Sequence, residues 1–191
     1  MRENDAEDLR DVEAVLDGDE EAYARLVERH GPAVAKQMRN FSRYPLTAEE
    51  LAQDVFVEAY LSLGKFRAEA PFRHWIARIA TLVGYKYWKK RGRAKKLVSL
   101  SEAPDLPAPE KVERDPAAAA ELLHELLATL PPADRLALTL MYLEKCSQEE
   151  IAGRMGSTRV MVAVRLYRAK RKLRELGEKE PWKGRLEWMF S

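Results

Sequence analysis

The stretch Ser147–Glu175 reads S-Q-E-E-I-A-G-R-M-G-S-T-R-V-M-V-A-V-R-L-Y-R-A-K-R-K-L-R-E, and few folds accept it. Ser147 with Glu150 three residues on is a capping box, which starts a helix. Ile151, Ala152 and Met155 supply that helix's buried side. Gly156 is suited to the left-handed turn that a side chain resists. Ser157 or Thr158 then caps a second helix. On it Val162, Leu166, Ala169, Leu173 and Leu176 recur at core spacing. Met161, Arg165, Arg168 and Lys172 form an adjacent face, about 100° away. Two short helices around a glycine turn, the second strongly basic, are the pattern of a helix-turn-helix DNA reader. The alternative for the basic face alone is solvated surface.

Charge along the 191 residues is segregated, which makes the net value of +2 uninformative as a sum. Residues Glu3 to Glu21 carry ten carboxylates against one arginine, Arg10. Tyr85–Lys96 carries seven basic residues and Arg165–Arg174 six, neither with an acid. Two separate basic patches suggest two contacts with a polyanion. The acidic amino terminus is placed to shield them in the free protein. No apolar run reaches membrane-span length and no signal peptide is visible, which predicts a cytoplasmic chain without membrane insertion. A single cysteine, Cys146, excludes an internal disulfide and is expected to pack as a small apolar group. His30, His74 and His124 lack ligand spacing, so no metal or other cofactor is expected.

Composition breaks once. Leu97–Pro116 holds four prolines, and five carboxylates against two cations give it a net charge of −3. Such a segment makes a poor helix or strand. It predicts a flexible acidic linker between two small helical domains, residues 1–96 and 117–191, in an all-α chain. In the first domain helices are expected from Ala6 to Leu16 and from Glu20 to Arg39, with Pro32 a candidate kink. A third opens with Thr47 as cap and Glu50 at the box position, buries Leu51, Val55, Ala59 and Leu63, and ends at Gly64. A fourth starts around Pro71, with Phe72, Trp75 or Ile76, Ile79 and Val83 inward. The second domain has helices over Ala117–Leu130 and Asp134–Leu143 before the helix-turn-helix. The tail beyond Leu176 carries Trp182, Trp188, Met189 and Phe190, which either pack back or meet a partner.

Two further constellations carry chemistry. Glu50, Gln53, Asp54 and Glu58 project together, opposite the leucine–valine stripe. Their acidity is wrong for DNA and suits a basic protein partner; the bland alternative is a solvated face. Tyr85–Lys96 interleaves aromatics with cations, which suits stacking on unpaired bases beside neutralised phosphates. Nothing resembles a catalytic set: there is no clustered carboxylate pair, phosphate-binding glycine loop or metal-ligand group, so no enzyme is expected.

In order, the chain presents D-E-E-A-Y-A-R-L-V-E-R-H, A-E-E-L-A-Q-D-V-F and F-R-H-W-I-A-R-I-A with a basic tail. After the linker come L-L-A-T-L-P-P-A-D-R, S-Q-E-E-I-A-G-R-M-G and R-L-Y-R-A-K-R-K-L-R. From about Asp19 to Leu176 this resembles a bacterial sigma factor of the extracytoplasmic-function type. The resemblance implies a promoter-recognition subunit of RNA polymerase, active in transcription initiation, with core polymerase, promoter DNA and an anti-sigma factor as partners. The first domain corresponds to the family's region 2 and the second to region 4. Glu50, Gln53, Asp54, Phe56 and Glu58 are the implied polymerase-docking set. The loop from Gly64 to Pro71 and the helix after it are implied to hold the −10 element and a base flipped out of the stack. Phe66, Arg67, Arg73, Arg78, Tyr85, Lys86, Trp88, Lys89, Lys90 and Arg91 are the candidates there. Ser157, Thr158, Arg159, Arg165, Tyr167, Arg168 and Lys172 are the candidates for the −35 element in the major groove.

The chain departs from the family at several of these places. Leu82 stands where many relatives have asparagine, and Lys86 where an aspartate is common. Val160-Met161 replaces the usual Gly-Thr, and Ala163-Val164 the polar pair that often reads bases. Apolar residues there suit thymine methyls, or leave readout to DNA shape and to Arg165 and Arg168. The competing reading is a stand-alone helix-turn-helix regulator binding duplex operators as a dimer. It needs neither the Gln53–Asp54 face nor the aromatic–basic tail.

Overall fold

A computed structural model describes residues 3–98, 116–179 and 183 of the chain. The linker, for all but its ends, and the tail residues Trp182, Trp188, Met189 and Phe190 lie outside the described residues. Among the described residues every regular element is helical, as the periodicity predicts. The helices are α1 (Glu3–Leu16), α2 (Glu20–Arg39), α3 (Pro45–Ser62), α4 (Phe72–Val98), α5 (Pro116–Ala128), α6 (Pro132–Leu138), α7 (Gln148–Met155) and α8 (Arg159–Gly177). A 3-10 turn, Leu63–Lys65, follows α3, and a π-helical turn, Thr139–Leu143, follows α6. The chain forms two compact units, Met1–Lys86 and Tyr87–Ser191, with the boundary inside α4.

The first unit is held by inward stripes and by polar pins between helices. Asp19 caps α2 by accepting from the N–H groups of Glu21 and Ala22 at 2.9 and 3.3 Å. Leu26, Val34 and Met38 of α2 meet Leu51, Val55 and Ala59 of α3 as buried core. The Tyr23 hydroxyl donates to the Phe56 carbonyl, and its ring meets Tyr60 edge-on at 5.0 Å. Burial pushes the Tyr23 phenol up to about 12. Gln37 donates to the Ala77 carbonyl and to Thr81 at 3.2 and 3.1 Å, tying α2 to α4. α2 runs through Pro32 without interruption. α3 starts two residues before the expected Thr47 cap: Tyr44 is the N-cap and Pro45 the first helical residue. Proline fits there because the first-turn N–H has no helical partner to lose.

In the second unit Leu122, Leu126 and Leu130 join Leu136, Leu140, Ile151, Val162, Leu166 and Ala169 in one core. Ser147 caps α7 with the full reciprocal box: its N–H donates to Glu150 at 2.7 Å and its hydroxyl accepts from the Glu150 N–H at 3.2 Å. Gly156 takes the left-handed conformation, φ 59°, that turns the chain into α8. Of the two candidate caps for α8 it is Thr158 that serves, accepting from the Met161 N–H at 3.2 Å. Leu173 and Leu176 are half-buried, so the core stripe fades toward the end of α8. Cys146 is buried, and burial pushes its thiol up, away from the reactive thiolate.

Candidate nucleic-acid interface

Every acidic or amide side chain expected on the outer face of α3 is exposed: Glu50, Gln53, Asp54 and Glu58. Phe56 is half-buried, its carbonyl taken by Tyr23. Three apolar residues that the sequence reading overlooked share this face. Leu46 is 75% exposed, Val57 57% and Leu61 74%. Their spacing from Val57, eleven back and four on, puts them on one helical stripe, so the signal lay in the sequence. The face therefore mixes exposed apolar side chains with carboxylates. Such a mixture suits a protein partner and repels phosphate.

At the other end of α3 the loop toward α4 rests on aromatics. Phe66 packs on Phe72 at 5.5 Å and on Trp75 at 5.3 Å, and Phe72 reaches His30 at 5.1 Å. Phe72 is fully buried, while Phe66 and Trp75 are half-exposed at the loop's foot. Ala68 takes a left-handed φ of 55°, which a side chain tolerates only when its surroundings impose it. Arg67 and Arg78 are exposed and Tyr85 is half-buried. Lys86 lies on the surface, 3.2 Å from Glu58. Leu82 is 42% exposed.

The acidic first helix is more than a diffuse shield. Asp5, Asp8 and Asp11 point inward from α1 and are buried. Asp8 accepts from Arg29 at 2.6 Å and pairs with His30 at 2.9 Å. Asp11 accepts from Arg25 and from Arg29, each at 2.8 Å. Burial opposes ionisation of Asp11, but those hydrogen bonds outweigh it and hold its carboxyl below the usual carboxylate range. Asp5 pairs with Arg73 at the start of α4. Two of the ten candidates for the −10 element, Arg73 through Asp5 and Lys86 through Glu58, thus carry a carboxylate partner of their own chain.

Trp88 departs from expectation. It is 5% exposed, and the Arg135 guanidinium covers its ring at 3.8 Å, a cation–π contact. A ring so covered offers no face to a base. Burial pushes Arg135 down to about 10, which leaves it fully charged at neutral pH. The neighbouring Lys89, Lys90 and Arg91 are exposed, with Arg91 donating to the Tyr87 hydroxyl at 2.9 Å.

On α8, Arg159, Tyr167, Arg168 and Lys172 are exposed, and Ser157 at the turn is half-buried. Thr158 spends its hydroxyl on the cap. Arg165 is only 25% exposed at its side chain and leans toward Asp134 of α6, 3.6 Å away; Arg168 approaches the same oxygen at 3.8 Å. Asp134 is buried in the first turn of α6, where the helix dipole favours its charge. Among the described residues no group of His, Cys, Asp and Glu is arranged to hold a metal ion, and no helix is long and apolar enough to cross a membrane.

Residues 26–94 match the family described as Sigma-70 region 2, and residues 120–173 the one described as Sigma-70, region 4. The RNA polymerase sigma-H factor of Pseudomonas aeruginosa is 31% identical over 176 residues, spanning 86% of this chain and 90% of that protein. The ECF RNA polymerase sigma-E factor of Escherichia coli is 29% identical over 172 residues, spanning 83% and 88%. Among solved structures, CnrH in complex with the cytosolic domain of CnrY aligns with a TM-score of 0.60 at 25% identity, covering 92% of this chain and 97% of that one. With both region models matched in order and a relative 31% identical along nine-tenths of its length, the chain belongs to the bacterial RNA polymerase sigma factors, in their extracytoplasmic-function group.

Proposed function

We propose that this chain binds core RNA polymerase through the outer face of α3 and carries it to promoters. In this reading the α3–α4 loop and the start of α4 receive the opened −10 element, and α8 enters the major groove at the −35 element. The observation that carries it is the presence of two chemically unlike surfaces, one on each unit. One is an exposed acidic and apolar stripe, Leu46, Glu50, Gln53, Asp54, Val57 and Leu61. The other is a helix, α8, with seven cations and one carboxylate. A stand-alone regulator needs only the second.

The half-exposed Phe66 and Trp75 on their rigid Phe72 base replace Trp88 as the aromatic platform for an unpaired base. Arg67, Arg78, Lys89, Lys90 and Arg91 follow the phosphates. The chain contributes binding and strand capture, while RNA synthesis stays with the polymerase, so it is not itself an enzyme. It acts in the cytoplasm, where the polymerase works. CnrH is solved with the cytosolic domain of CnrY bound. That supports a protein inhibitor of the anti-sigma kind for this chain too.

Titration of core polymerase with fluorescently labelled chain tests the docking face. Saturable binding is expected, weakened at least tenfold by the pair Val57→Glu and Leu61→Glu. Both side chains are exposed, so the fold is expected to survive, which an unchanged helical circular-dichroism spectrum checks. Unchanged affinity removes the α3 face from the assignment.

A further inference from the structure

The side of α8 turned away from its core is apolar where the helix begins and cationic where it ends. Val162, Leu166 and Ala169 are buried. On the opposite side Val160 is 72% exposed, Val164 43% and Tyr167 66%, at i, i+4 and i+7. Met161, 44% exposed, flanks them. These groups stand in the first half of a helix with seven cations and one acid, a charge that selects a polyanion as the facing partner and not another apolar protein surface.

Each arginine of that half has a carboxylate of its own chain within reach. Arg159 lies 2.9 Å from Glu149 on α7. Arg165 leans toward buried Asp134, with its Nε buried and unbonded, and Arg168 is inclined the same way. Beside the arginines, the surface presented to a groove is therefore made of the methyl groups of Val160, Ala163 and Val164, the Met161 side chain and the Tyr167 ring. In the major groove thymine alone among the four bases offers a methyl group in return.

We propose that α8 selects its upstream element through apolar contact of Val160 and Val164 with thymine 5-methyl groups. The inference rests on the proposed function. The two valines are about 6 Å apart along the helix axis, at about 1.5 Å per residue. Their thymines therefore lie within two or three base pairs of each other. Asp134 is the positioning residue: it holds Arg165 and Arg168 back, where they follow the phosphate backbone and leave the base edges to the valines.

The test uses a promoter at which core polymerase starts only in the presence of this chain. Each thymine of the upstream element is replaced in turn by 2′-deoxyuridine, which lacks only the methyl group. Holoenzyme binding is expected to weaken about fourfold at two positions, the equivalent of about 0.8 kcal/mol per buried methyl, and to stay unchanged at the others. The double variant Val160→Ser, Val164→Ser should bind thymine and uracil promoters alike, with the salt dependence of the wild type because phosphate contacts remain. The proposal is overturned by equal wild-type binding at every position, by an upstream element without thymine, or by discrimination that persists in the double variant. If no promoter supports initiation that depends on the chain, the proposed function itself fails.

Discussion

Gly84 lies in the middle of α4, where a glycine costs a helix about 1 kcal/mol relative to alanine. The reason it is there is the Phe41 ring. A Cβ on Gly84 would fall closer than 3.0 Å to three carbons of that ring. Phe41 is 1% exposed, so it has nowhere to retreat without losing its own burial, about 1.5–3 kcal/mol for a side chain of this kind. Overpacking of a core costs about 1–3 kcal/mol, and three clashes put Gly84→Ala near the top of that range. Set against the gain of about 1 kcal/mol in helix propensity, the net loss is about 2 kcal/mol.

Gly31, inside α2 of the same unit, has nothing within 4 Å of its virtual Cβ. Gly31→Ala should gain about 0.5–1 kcal/mol, so the two identical substitutions have opposite signs. Urea denaturation followed by circular dichroism reads both. With a slope of about 1–2 kcal/mol/M, the midpoint falls by about 1–2 M for Gly84→Ala and rises by about half a molar for Gly31→Ala. A Gly84→Ala protein as stable as the wild type would refute the packing argument.

Asp54→Arg should weaken core-polymerase binding in a pull-down while the helical spectrum stays the same, and unchanged capture would remove Asp54 from the docking face. Asp11 has a folded pKa held below its ordinary 3.8, so its stabilisation is complete above about pH 4 and is lost as pH falls through the lower folded value. Asp11→Asn removes the charge from the hydrogen bonds to Arg25 and Arg29, so it should lower the urea midpoint at pH 7 and flatten the acid limb of a plot of that midpoint against pH below about 4, and an unaltered limb contradicts the assignment. Ser147→Ala removes one half of the α7 capping box and should cost about 1 kcal/mol, read as a lower melting temperature of the second unit.

What the sequence made legible was local. The Ser147–Glu150 box, the left-handed Gly156, the apolar stripe of α3 and the Val162, Leu166 and Ala169 part of the α8 stripe depend on neighbours within a turn or two, and appear where the pattern put them. The start of α3 went astray because two local signals compete, a Thr47–Glu50 box and a first-turn proline, and the proline won. Periodicity placed Glu50, Gln53 and Asp54 outward but drew attention from the apolar Leu46, Val57 and Leu61 between them. The remainder was nonlocal. Asp8 meets His30 across 22 residues and Asp5 meets Arg73 across 68, distances over which no spacing rule operates. Trp88 looked like a stacking residue because it sits among lysines; its cover, Arg135, comes from 47 positions further along the chain. The same holds for Gly84, whose need for a missing side chain is set by Phe41.

The central claim is that the chain confers promoter choice on core polymerase. Run-off transcription with purified core polymerase on fragmented DNA from the chain's own genome, with and without the protein, tests it most directly. Discrete new transcripts that require the protein are expected, each start preceded by two elements at a fixed separation. Transcripts unchanged by the protein, together with its protection of a palindromic duplex in the absence of polymerase, would contradict the account and favour a stand-alone regulator.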